Sequence, residues 1–243
     1  MSVFEYAILF LAVILGGSLA VVSPEYKRQQ VSVILSFAAA YLLGIIATHL
    51  LPGAFHASGS GYAGIFLLAG FLIQLLLENL SQGIEHGHFH KEKANGGQFY
   101  GILLGLCLHA ILEGLPLSGY DQLDPHHHDG GGGVNHFLAG IAIHHIPAAY
   151  VLALLMRTHR FPPGKFWGVL VVFGIMTPMG AWIGEHVLLD PDMLRNTLAL
   201  VIGSLLHIAT TILFETEQGH YHRVGLWKLI AILTGIALSL VSL

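Results

Sequence analysis

Eight apolar stretches, each about 17–23 residues long, constrain this chain more than any motif in it, because that is the length a helix needs to cross a bilayer core. They run Phe4–Val22, Val31–Leu51, Gly61–Gln82, Phe99–Leu117, Val134–Met156, Phe166–Leu188, Leu194–Phe214 and Leu226–Leu243. Backbone polar groups inside lipid must be satisfied within the segment, so each stretch is expected to be a helix. Composition agrees: 54% of residues are hydrophobic and 10% are charged, against about 25% charged in a soluble domain. The expected fold is an all-α polytopic membrane protein, one transmembrane domain over residues 1–243. Its surroundings are the lipid bilayer, and no nucleic-acid surface is expected.

The basic residues orient the spans. Lys27 and Arg28 lie between the first and second stretches, and Lys91 and Lys93 follow the third. Arg157, Arg160 and Lys165 follow the fifth, and Arg223 and Lys228 flank the seventh-to-eighth connection. Of the 10 basic residues only Arg195 falls on the other side. Basic residues mark cytoplasmic connections, so both termini are expected to be extracytoplasmic. A seven- or nine-span reading would scramble the alternation. Glu5 lies at the start of the first stretch and the basic pair follows it, which fits an outward N-terminus better than a signal peptide. The expected location is the plasma membrane, or the inner membrane in a bacterium.

Two connections are unusual. Residues 83–98, expected to be cytoplasmic, contain His86, His88 and His90. Residues 118–133, expected outside, contain His126, His127 and His128 before four glycines. Short His-rich tracts are a compositional signal for metal binding. The plainer reading of either is a solvated low-complexity loop. The lone Cys107 excludes both an intrachain disulfide and a thiolate zinc cluster built within one chain.

The chemistry sits inside the apolar stretches. His109 and Glu113 are four residues apart and so share one helix face. A carboxylate at membrane depth costs about 2.5–3.5 kcal/mol on insertion scales, and such groups are functional by default. The next stretch carries His144 and His145, followed by Pro147. Neighbouring helical residues point about 100° apart, so one of the two faces His109 and Glu113 and the other a neighbouring space. Both motifs lie about ten residues into their stretches and therefore at matching depth. His109, Glu113 and His144 make a His2Glu donor set suited to zinc. The plainer alternative is a His–Glu pair that only holds helices together. Gly114 and Pro116 follow Glu113 directly, and a proline there is expected to break the helix and free a carbonyl near the site.

These residues resemble the ZIP (Zrt/Irt-like) family of divalent-metal transporters over nearly the whole chain. His109, Glu113 and Gly114 match its H-x-x-x-E-G motif, and His144 with Pro147 its H-x-x-P motif. His49-Leu50-Leu51-Pro52 resembles an H-L-L-P-E-A stretch, and Gly70-Phe71-Leu72 followed by Glu78 is also typical. The resemblance implies a ZIP-like bundle of eight helices, a His-rich loop between spans three and four, and a metal centre between spans four and five. It is also compatible with a homodimer, the oligomeric state being left open. Relatives with two ions bridge them with acidic residues, whereas here Ala110, His145, Ala148 and Thr177 occupy the corresponding positions. One main transport centre is therefore expected, with His145 an auxiliary ligand or a positively charged plug. Gly53 replaces the motif's Glu. By the same resemblance His49, His207 and Glu215 are candidate pathway residues, the histidines having interhelical packing as their plainer reading.

The function implied is uptake of a divalent transition metal, Zn2+ first, with Fe2+, Mn2+ and Cd2+ also compatible with the donor set. Two other classes fit less well. A membrane-embedded zinc hydrolase would need a spare general base, and a metal sensor would bind without flux. The chain is expected not to be an enzyme.

Overall fold

The computed structural model describes residues 1–23, 28–55, 60–83, 96–123, 136–214 and 225–241. Among the described residues each apolar stretch contains a helix, and no strand occurs. Helix α1 spans Val3–Val22 and opens with a capping box, Ser2 and Glu5 each satisfying the other's backbone N–H. Helix α2 (Arg28–Ile45) continues through a π-helical turn, Ile46–Leu50, into α3 (Leu51–Phe55). Then follow α4 (Ala63–Ser81), α5 (Gly96–Gly114), α6 (His136–Thr158), α7 (Pro163–Val187), α8 (Pro191–Phe214) and α9 (Leu226–Val241). Seven of these stretches, counting α2 to α3 as one, are long and apolar enough to cross a membrane, while α9 is apolar but shorter.

Of the boundaries that differ from expectation, two bear on the site. The second span runs on to Phe55 rather than stopping at Leu51. The fourth ends at Gly114, and residues 115–119 form turns in which the Leu115 and Leu117 amides donate to Leu112 and Gly114. Pro116 therefore terminates the helix instead of breaking it. Pro cannot continue a helix beyond such a glycine, so the chain turns away immediately after Glu113.

Large apolar side chains face outward at helical spacing. Ile65, Leu68, Leu72 and Leu76 form one such line on α4, and Leu11, Leu15 and Leu19 another on α1. A soluble protein would bury these lines; lipid contact accounts for them. The architecture is that of a polytopic membrane bundle.

Packing sorts the helices into two sets. In one, α1 lies along α6 and α7, and α5 along α7. In the other, α4 lies along α8, and α2 along α9 and α8. The sets meet chiefly where α2 crosses α6 and α4 crosses α5. Lipid tails give no hydrophobic drive between helices, so close backbone approach through small residues must supply the attraction. Each principal pair has such a contact. A Cβ at Gly180 or Gly184 would overlap the carbonyls of Ile111 or Leu115 across the α5–α7 seam. A Cβ at Gly70 or Gly203 would do the same to Leu200 or Leu67 across α4–α8.

Replacing Gly180 with Leu should force α5 from α7 and destabilise the bundle by about 1–3 kcal/mol or more. Gly168→Ala, where a Cβ meets nothing within 4 Å, should be neutral. Thermal unfolding of the two variants in detergent checks this, and equal melting temperatures would contradict the seam.

Candidate metal centre

Four histidine and glutamate side chains converge where α5, α6 and α7 meet. Gly114 lets α5 approach the backbone of α7 at Thr177 and Ala181. That approach brings Glu113, one residue earlier, against the middle of α7. His109 lies one turn back on the same face. From α6 come His144 and His145, above a proline carried inside the helix at Pro147. His109, Glu113, His144 and His145 are all 3% exposed or less.

His109, Glu113 and His144 each offer a donor atom, and these atoms lie within 4.8 Å of one another. Nε2 of His109 is 3.3 Å from Oε2 of Glu113. Two ligands on one tetrahedral zinc, at about 2.0–2.2 Å each, stand about 3.3–3.5 Å apart. One edge of the site therefore has ligand spacing already.

The neighbours of His109 favour that use. Ser204 Oγ on α8 donates to Oε1 of Gln74 on α4 at 2.9 Å, and lies 3.4 Å from Nδ1 of His109. With its hydrogen given to Gln74, the Ser204 oxygen can only accept from Nδ1–H. Nε2 then carries a lone pair and faces an ionised carboxylate. Two acceptors at this distance repel unless a cation lies between them. Outer partners of this kind fix the tautomer of ligating histidines. Neither Glu113 oxygen has a hydrogen bond of good geometry, although both make close ion-pair contacts. Buried carboxylate oxygens are rarely left so, and a metal ion would satisfy them.

His145 has a different task from His144. Its Nδ1 donates to the Ile141 carbonyl at 2.8 Å, which turns Nε2 toward Oε1 of Glu113, 2.8 Å away, and toward Thr177 Oγ1 at 3.0 Å. The ring leans on Phe173. With Nδ1–H given to the Ile141 carbonyl, His145 can hold the second oxygen of Glu113 only when Nε2 also carries a proton, as the charged imidazolium, in the space bounded by Thr177. It lies outside the His109–Glu113–His144 triad.

The remaining expected residues are scattered. His49 is buried in the π-helical turn, its Nδ1 donating to Thr48 Oγ1 at 2.7 Å, with its ring 4.6 Å from that of His136. Gly53 packs against the Leu123 carbonyl, which a Cβ would approach to 3.1 Å, so a Glu would not fit there unchanged. His207 pairs with Glu78 on α4. Glu215 and the loop histidines His86, His88, His90, His126, His127 and His128 lie outside the described residues.

Sequence reasoning missed Ser204, Gln74 and His136. A glutamine inside the apolar α4 was a legible signal. So was the spacing of His136, Gly140 and His144, which puts His136 on the His144 face of α6, two turns away. No protein-family model matches this chain, and no curated protein matches it.

Ser204→Ala should weaken metal binding at this centre about 10-fold by releasing the His109 ring. Equilibrium titration of the purified protein with Zn2+ measures it; unchanged affinity would remove Ser204 from the centre.

Proposed function

We propose that the chain carries a divalent transition-metal ion across the membrane, with Zn2+ the first candidate, through the His109–Glu113–His144 centre. The observation that carries this reading is the position of the triad: fully buried, in a bundle of membrane-length helices, where the α5–α6 side of the bundle meets α4 and α8. The first ligand shell comes from α5 and α6 of one set. Its outer support, Ser204 and Gln74, comes from α8 and α4 of the other. A rigid shift of one set against the other would carry the triad past that support and change which side of the membrane reaches it. Such movement around a mid-membrane site is how many secondary transporters alternate access.

The resemblance to the ZIP family, in its motifs and their order, supports the same reading. The reading is of one ion at this centre. Ala110 and Ala148 offer no ligand, and His145 with Thr177 fills the side where a second ion would need carboxylates. The ion is taken to enter from the side of the His126–His128 loop and leave toward the His86–His90 loop. Net movement is then uptake into the cytoplasm. A homodimer in the plasma membrane fits the resemblance.

Ligation needs neutral imidazoles and an ionised carboxylate, so protons compete with metal. Uptake should fall as pH drops through the ordinary histidine range near about 6.5, measured as initial rate against external pH. Glu113→Ala should reduce uptake to background in a metal-starved host expressing equal amounts of protein in the membrane. Wild-type uptake by that variant would overturn the assignment.

A further inference from the structure

A groove of about 620 Å3 lies between α1, α2, α6 and α9. Its inner walls are aliphatic: Leu19 of α1, Val33 and Ile34 of α2, and Ile146 with Pro147 of α6. Its outer end is polar. Ser23 stands one turn past Leu19, Gln29 and Gln30 one turn before Val33 and Ile34, and Tyr150 one turn past Ile146. All three steps run toward the same membrane face, where α1 and α6 end and α2 begins. The Tyr150 hydroxyl donates to Ser23 Oγ at 3.3 Å, which sets these two at one level. Trp227 stands at that end too, because α9 packs parallel to α2, with Gly235 against Phe37 and Ser239 against Gly44.

The polar end is also basic. Arg157, in the last turn of α6, donates from Nη1 to the carbonyls of Ala20 and Ser23. Among the described residues none of the lining side chains is acidic. The sequence adds Lys27 and Arg28, against Glu25, where α1 passes to α2.

We propose that this groove holds one anionic phospholipid, an acyl chain along the aliphatic walls and the phosphate beside Arg157. The binding is independent of the transport reading.

Leu19, Ile34 and Trp227 are exposed, so the groove opens sideways into the bilayer. Left void, its walls would lose their packing contacts, and water would lack the two to four polar partners it needs among aliphatic side chains. The apolar material at hand is lipid. From Pro147 to Arg157 is ten residues, about 15 Å of helix. That is half of a hydrocarbon core about 30 Å thick, so a chain from one leaflet spans it. A tail gains no hydrophobic energy on leaving the bilayer for the groove. Preference among lipids must therefore arise at the head group. There the two carbonyls fix the guanidinium through Nη1 alone, and its planar fork has five N–H donors in all. Guanidinium and phosphate make strong charge-assisted hydrogen bonds, and basic pockets between membrane helices take anionic head groups. Gln29 and Gln30 add amide donors, and Trp227 suits the interface level.

Native mass spectrometry of the full-length protein tests this, in detergent with phosphatidylglycerol or phosphatidylcholine of identical acyl chains. One phosphatidylglycerol should bind about 5-fold or more tightly than phosphatidylcholine, and Arg157→Gln should erase the difference. Val33→Trp, which fills the groove, should remove the bound lipid and keep the melting temperature. Leu68→Trp, on the lipid-facing line of α4, should change neither. Should Val33→Trp unfold, Ile34→Trp at the exposed edge takes its place. Equal binding of the two lipids, or a preference that survives Arg157→Gln, would overturn the anionic head group. Undiminished lipid in a folded groove-filling variant would overturn the groove as its seat. No retained lipid would overturn the proposal outright.

Discussion

The carboxylate of Glu113 is the group around which this bundle is arranged. Left alone at membrane depth it would cost about 2.5–3.5 kcal/mol on insertion scales, and a buried charge persists only when paired. The pairing comes from two histidines on opposite sides. His109 approaches one oxygen from a turn earlier on α5, and His145 approaches the other from α6. Neither contact has good hydrogen-bond geometry at the carboxylate, so the compensation is electrostatic and incomplete. An arriving cation would gain what the helices do not supply.

Glycine contacts make the arrangement reachable. Gly114 and Gly180 bring α5 and α7 to backbone contact and place Thr177 beside His145. The adjacent histidines of α6 then divide their work by helical geometry. At about 100° apart, one ring joins Glu113 and His109 while its neighbour turns to the Ile141 carbonyl and the far oxygen of Glu113. Where carboxylates could have built a second metal site, this chain has an imidazole, a threonine and two alanines. The same region thereby places an imidazole against the far oxygen of Glu113.

The two helix sets give the polar groups a common axis. His136 and His49 meet at one level and the triad occupies another, two turns along α6 from His136. Ser204 with Gln74 and His207 with Glu78 continue the series between α4 and α8. Almost every ionisable or amide side chain inside the bundle belongs to a contact between helices distant in sequence. A stability-driven membrane core would use small and apolar residues there.

What the sequence determined alone is local. Apolar length predicted the helices, because lipid leaves the backbone no other partners. The i, i+4 rule put His109 and Glu113 on one face, and matching depth brought His144 to them. Pro116 was read as a break inside the fourth span, but helix termination at Gly114 depends on how the following turns pack. Only the tertiary structure decided what His145 does, since the rotation of α6 against α5 and α7 turns its ring to the Ile141 carbonyl and the far oxygen of Glu113. It also decided that His207 meets Glu78, that Ser204 and Gln74 stand behind His109, and that His49 meets His136. Those partners are 129, 95 to 130 and 87 residues apart in the chain. No periodicity within a single helix encodes such meetings; they follow from which backbones the glycines allow to touch.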